Sequence, residues 1–322
     1  MSIIDKVLSR EEFVDRPPVL IDIGASGAIH SKWRNIARYS VCIAFDADER
    51  EMGYAVRENS GFRKLYVFNC IVTDIPSNNT DFYLTESPFC SSTLEPDKEH
   101  LENWPFADLF TINKRVSLTS ATISSVLGEL EIDKIDWFKV DAQGTDLRLF
   151  KSLGDERIRR TLAAEFEPGI LDAYLGEDKL WSLIAFMSGK PFWMSSLEVR
   201  GTQRISGKLV DERIGRASWR WLSQLLVIAP GWAEVAYLRS FSEDSDYLEL
   251  RDFLLGWIFA TIEQHHTYAL EIAVSGYQRF GDSLFIDLER EALSRVRRQY
   301  LRLPLLIFSR LPALVKRVFN RR

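Results

Sequence analysis

Apolar positions fall into short continuous runs separated by stretches with helical spacing. The first run, Val19-Leu-Ile-Asp-Ile23, carries one acidic residue and leads into the small-residue turn Gly24-Ala-Ser-Gly27. Ile29, Trp33, Ile36 and Ala37 then recur at i, i+4, i+7 and i+8, one face of a predicted helix. Further runs at 41–45, 64–72, 135–140 and 161–166 read as strands, with strand segments at 80–85, 115–118, 191–198 and 219–229. Helices are predicted over 48–59, from Thr122 as N-cap to about 130, around Leu147 to Leu153, and over 177–188. Strands alternating with helices predict a doubly wound, mostly parallel α/β sheet of Rossmann-like type. Pro17-Pro18 ends a leader helix over 1–16, and Pro230-Gly231 marks the change to long helical patterns over 247–273 and 282–301. The expected organisation is a leader (1–16), a sheet domain (17–230), a helical extension (231–294) and a basic amphipathic tail (295–322). The stretch 86–110, rich in Ser, Pro and acidic residues, reads as a long loop of the kind that forms lids.

Charge changes the picture only at the C-terminus. The chain carries −5 overall, yet residues 295–322 hold nine basic residues and no acidic one, leaving −14 on the rest. That tail reads either as a membrane-surface element for an anionic bilayer or as a terminal helix on an acidic body. Arg310 interrupts its apolar run, so it is not a spanning segment. With positive charge confined to the tail, nucleic-acid binding is not expected. Three cysteines without Cys-x-x-Cys spacing argue for a reducing compartment and against a zinc site. No secretory signal is visible at the N-terminus. A cytoplasmic protein, peripheral at the inner membrane face through its tail, is expected.

The glycine turn carries the chemistry. It is G-x-x-G behind Asp22, without the middle glycine of a dinucleotide fingerprint and without the G-K-[ST] of a phosphate loop. An acidic residue followed by small residues suits a ligand with a cationic amino-acid end, a description that fits S-adenosylmethionine. Asp22 would orient the turn, and Gly24, Ala25, Ser26 and Gly27 would line that end. Asp46 ends the second run 19 positions after Gly27, where a ribose-binding carboxylate is expected. Asp74, after the third run, is either an adenine contact or an exposed loop residue. Asp141, ending the run 135–140 at the sheet's carboxyl edge, is either a catalytic carboxylate or a helix cap. Lys139, two residues before it, is a candidate ion-pair partner. His30 follows the turn and is a candidate base, or a surface histidine at a helix start. His100 lies in the candidate lid, and His265-His266 reads as structural.

Three segments resemble the FkbM-type S-adenosylmethionine-dependent methyltransferases. They are Leu20-Ile-Asp-Ile-Gly-Ala-Ser-Gly27 with Phe45-Asp-Ala-Asp48, then Ser92-Thr-Leu-Glu-Pro96, and most specifically Thr122 to Leu153, with Lys139, Asp141, Gln143 and Gly144 in a Lys-x-Asp-x-Glu/Gln-Gly pattern. The resemblance covers about residues 17–200. It implies a class I methyltransferase fold, S-adenosylmethionine as cofactor, and a hydroxyl acceptor on a saccharide, glycolipid or natural product. Two departures stand out: Asp46 replaces the more usual Glu, and Gln143 cannot act as a base. Under this reading Glu165 and Glu167 are candidates for holding a sugar hydroxyl or a divalent cation, against a reading as surface carboxylates. No residue set has metal-site spacing, so metal dependence stays open. The competing reading is a non-catalytic module of the same fold, binding partners or membrane through its C-terminal region.

Overall fold

The computed structural model describes residues 2–25, 29–47, 61–77, 79–241 and 246–302. The helix expected over 48–59, Ser26, Gly27 and most of the tail lie outside them. The described residues form two compact units: those within 8–240, and residues 2–7 together with those within 241–302.

The larger unit is built on strands β1 (Val19–Ile23), β2 (Val41–Phe45), β3 (Lys64–Phe68), β4 (Ile71–Val72), β5 (Thr80–Thr85), β6 (Ile112–Leu118), β7 (Ser120–Ala121), β8 (Trp137–Val140), β9 (Ala163–Phe166), β10 (Phe192–Thr202) and β11 (Ala229–Arg239). Seven of them form one sheet in the order β10-β11-β9-β8-β1-β2-β3. β3, β2, β1, β8 and β9 run parallel, and β11 is antiparallel to both of its neighbours. β4 pairs with β7, and β5 with β6, in two small separate sheets.

Period-two alternation sorts the side chains. Ile21, Ile23, Ile43, Phe45, Phe138, Val140 and Phe166 enter a core under helices Ile123–Glu129, Asp146–Lys151 and Leu180–Met187. There Phe150 packs on Phe138 and Phe166 with both ring centroids at 5.1 Å. Thr122 caps the first of these helices, its hydroxyl accepting the Ser125 N–H at 3.1 Å. On the opposite face Trp137 meets Trp33 edge-on at 5.9 Å.

Several expectations shift. The helix after the glycine turn is instead two tight 3-10 turns, Ser31–Asn35 and Ala37–Tyr39. Their longer rise per residue carries a short crossover back along the sheet while still burying Trp33, Ile36 and Ala37. The leader is two short helices, Ile3–Leu8 and Glu11–Asp15. The strand expected over 219–229 lies at 229–239, and Arg216–Leu222 is helical. Pro230-Gly231 is therefore no domain break: it sits at the start of a sheet strand, where a missing N–H is tolerated. The helical unit begins at Phe241 rather than 231.

That unit holds helices Leu250–Ile262, His266–Phe280 and Leu284–Arg298. The first buries Arg251 and Asp252 in its first turn, is apolar around its circumference from Phe253 to Ala260, and is buried along nearly its whole length. Lys6 pairs with Asp287 at 2.7 Å in the same unit. Among the described residues no helix is long and apolar enough to cross a membrane.

Candidate functional site

In this sheet the chain winds one way from β1 to β2 and the other way from β8 to β9, so the order reverses between β1 and β8. Ligands of open α/β sheets bind at such a point, outside the carboxyl ends of the strands. A cavity of about 520 Å³ lies there, with Gly24 after β1, Asp46 after β2, Asp141 after β8 and Glu167 after β9 on its wall. Residues 86–110, which join β5 to β6, roof it through Phe89, Cys90 and Phe110, and Tyr174 and Glu177 close it from the segment after β9. The roof is pinned at its start, where Tyr83 and Ser92 exchange backbone hydrogen bonds of 2.8 and 3.3 Å.

The turn after β8 shapes the floor. Gln143 has φ +52° and Gly144 φ +101°, so the chain passes through two left-handed residues in succession. A Cβ on Gly144 would lie 2.9 Å from the Glu177 side chain. The turn aims Gln143 at its neighbours: its Nε2 donates to Asp141 at 2.6 Å and its Oε1 accepts from the Tyr174 hydroxyl at 3.0 Å. Ser92 donates its hydroxyl to the Gln143 carbonyl at 2.7 Å, tying roof to floor. Gly24 is equally constrained, since a Cβ there would sit 2.0 Å from the Asp141 carbonyl oxygen.

Four carboxyl groups line the cavity: Asp46, Asp141, Glu167 and Glu177. No lysine, arginine or histidine does so among the described residues. Burial pushes the Asp141 carboxyl up; Lys139 and the Gln143 hydrogen bond pull it back, and Asp22 and Asp46 push it further. Burial, reinforced by Asp141, lifts Glu167 to about 8 despite Lys139. Burial raises Glu177 as well, against the hydrogen bond from Lys179 at 2.6 Å. The site is thus an acidic, largely apolar-walled chamber, suited to a cationic organic ligand and hostile to a pyrophosphate.

Asp46, Asp141 and Gly24 come together here. Asp22 does not line the cavity. It lies on the other sheet face in a row with Lys139 and Glu165, each opposite the next on adjacent strands. There it takes Lys139 Nζ at 2.9 Å and the His30 N–H at 3.1 Å, so it ties the end of β1 to the chain at His30. Lys139 therefore pairs with Asp22, although Asp141 still feels its charge. Glu165 accepts from Trp137 Nε1 and from Lys32 Nζ, both at 2.8 Å, and His30 Nε2 lies 3.6 Å from it. Glu165 and His30 line a separate cleft of about 280 Å³, which Glu167 also borders. Ala25 is buried outside the cavity wall, and Asp74 is exposed with Cys70, Ile71 and Val72 on the wall in its stead. Among the described residues no group of three His, Cys, Asp or Glu side chains is placed to hold a metal ion. Tyr174 and Glu177 belong to no motif. They reach the site because the chain after β9 folds back, through the Pro96–Tyr174 and Gly169–Lys179 bridges.

No protein-family model and no curated protein matches the chain. Among solved structures it is similar to an uncharacterized protein from Listeria monocytogenes serotype 4b, at TM-score 0.33 and 10% identity over 92% of this chain and 96% of that one. A likeness at that score assigns neither fold nor function.

Proposed function

We propose that the chain is an S-adenosylmethionine-dependent O-methyltransferase of FkbM-like type, acting on a hydroxyl of a saccharide or saccharide-bearing acceptor. The observation that carries this reading is the cavity at the reversal of the strand order, lined by four carboxyl groups and by no cationic side chain among the described residues. The sheet order supports it too: a strand inserted antiparallel between the last two parallel ones is the arrangement of class I methyltransferases.

When bound, S-adenosylmethionine supplies an electrophilic methyl group on a cationic sulfur. The residues fit such a ligand. Asp46 stands at the end of β2, where a carboxylate accepts from ribose hydroxyls. Gly24 gives its Cβ position to the Asp141 carbonyl, which sets the first turn against the exit of β8 on the chamber wall. Asp141 offers negative charge, held in orientation by the Gln143 amide. Glu167, with its carboxyl lifted to about 8, is the side chain placed to take an acceptor's hydroxyl proton once it ionises, so transfer should rise with pH through that value. The acceptor specificity and the FkbM assignment rest on the sequence resemblance.

Calorimetric titration of S-adenosylmethionine into the wild-type protein and Asp46→Ala tests this. Micromolar binding weakened about tenfold or more by the substitution, roughly 1.4 kcal/mol, is the expected result. A folded protein that binds no S-adenosylmethionine overturns the reading. Binding without transfer to any acceptor favours the non-catalytic module.

A further inference from the structure

The connection between β10 and β11 carries a surface that the cavity does not use. It comprises a short helix at Gly207–Leu209, a wide turn at Val210–Ile214, helix Arg216–Leu222 and an irregular run to 228. From Trp221 to Trp232 the sequence is WLSQLLVIAPGW, twelve residues without a charge. These side chains face water: Trp221 is 72% exposed, Leu225 83% and Val227 91%. Soluble surfaces rarely present such a contiguous apolar patch without a partner. Its shape is held from below, where buried Gln203 donates through Nε2 to the Ser223 and Leu226 carbonyls at 2.8 and 3.4 Å.

Around this apolar tip the chain changes sign. Residues 204–220 contain Arg204, Lys208, Arg213, Arg216 and Arg220 against Asp211 and Glu212, within a chain of net charge −5. Arg216 is engaged with Asp211 and Asp108, while Arg213 and Arg220 are exposed. Tryptophan and aliphatic side chains beside exposed arginines are the composition of an element that lies in a membrane interface. A second copy of this chain fits less well, because a two-fold contact would set the basic collar against itself.

We propose that residues 221–228 insert into the interfacial region of a bilayer containing anionic phospholipid, with Arg213 and Arg220 on the headgroups. The surface is continuous with the cavity. Gly231 and Trp232 follow the apolar run and line the chamber. Arg204 stacks over Trp104, and Arg216 reaches Asp108, both in the roof segment. Insertion therefore brings the rim of the chamber to the bilayer. On the methyl-transfer reading, the acceptor is then one carried on a lipid. That last step rests on the proposed function, whereas membrane binding does not.

The test is co-sedimentation of the full chain with phosphatidylcholine vesicles containing about 30% phosphatidylglycerol, and with phosphatidylcholine alone. The wild type should bind the anionic vesicles. Leu225→Asp/Val227→Asp, two exposed positions, should weaken binding about tenfold or more with an unchanged circular dichroism spectrum. Arg213→Glu/Arg220→Glu should remove the preference for anionic lipid. Both effects should persist in a chain with Arg310, Lys316, Arg317, Arg321 and Arg322 changed to Ala, which separates this surface from the basic tail. Three outcomes overturn the proposal: no vesicle binding by the wild type, full binding by the aspartate pair, or a solution dimer that the aspartate pair dissolves while vesicles are ignored. Vesicle binding needs no S-adenosylmethionine, so its failure is distinct from failure of the methyl-transfer reading.

Discussion

Asp146 shows how one side chain can join two strand ends and still be held under electrostatic tension. It accepts the Ala142 N–H at 3.0 Å and the Glu167 N–H at 2.8 Å, tying the exit of β8 to the exit of β9. Burial lifts its carboxyl to about 7, Asp141 adds to the rise, and the two backbone hydrogen bonds oppose it. An unfolded Asp titrates near 3.9. The folded chain therefore holds this proton more tightly, and the contribution to stability is full below about pH 4 and lost as pH rises through about 7. Glu167, lifted to about 8, has the same sign. Asp146→Asn removes one titration and one acceptor for a buried N–H, a loss of about 1–3 kcal/mol. Urea unfolding at about pH 5 and about pH 8 should show the wild-type advantage shrinking at the higher pH. Parallel stability curves would refute the assignment.

Among the elements, the junction of β1 and β8 is the tightest constraint. Gly24 has φ +76°, and a Cβ there would meet the Asp141 carbonyl at 2.0 Å, an atom that cannot rotate away. Gly24→Ala must push the two central strands apart at their carboxyl ends. It should cost more than about 3 kcal/mol, where a strained left-handed residue alone costs about 1–3. A urea midpoint within error of the wild type would show that the strands do not meet as described. The two ends of this junction were legible in the sequence, because an apolar run, a glycine and a terminal acid each have a local cause; their adjacency is a long-range pairing that no local signal carries. Also legible were β2, β8 and the place of Asp46 at the end of β2. Other features were not local. Glu165 and Glu167 share a period-two relation, yet β9 ends at Phe166, so only Glu167 reaches the main chamber. The apolar run before Pro230 has the composition of a buried strand, and periodicity alone does not separate that from an exposed surface. The true strand, β11, lies ten residues on. Tyr174 and Glu177 left no trace because the fold-back after β9 brings them in.

For the whole molecule, the chamber's electrostatics come from acids spread over the chain from Asp46 to Glu177, gathered where the strand order turns. No single motif sets its sign. That distribution bears differently on two ligand classes of doubly wound sheets. A dinucleotide brings a doubly charged pyrophosphate, which needs backbone N–H groups at a helix N-terminus. Here it would meet four carboxyl groups and, after Gly24, turns of 3-10 type in place of a long helix. A sulfonium with an ammonium end instead favours the ionised form of these carboxyl groups, three of which burial holds toward the protonated form. Thermal unfolding with each ligand at the same concentration discriminates them. At about 100 times its dissociation constant, S-adenosylmethionine should stabilise the folded state by about 2.7 kcal/mol. In a unit of this size that raises the unfolding midpoint by roughly 5–10 °C. NAD should leave it unchanged. A shift with NAD and none with S-adenosylmethionine would mean that the apolar walls of the chamber, and not its acidic lining, select the ligand.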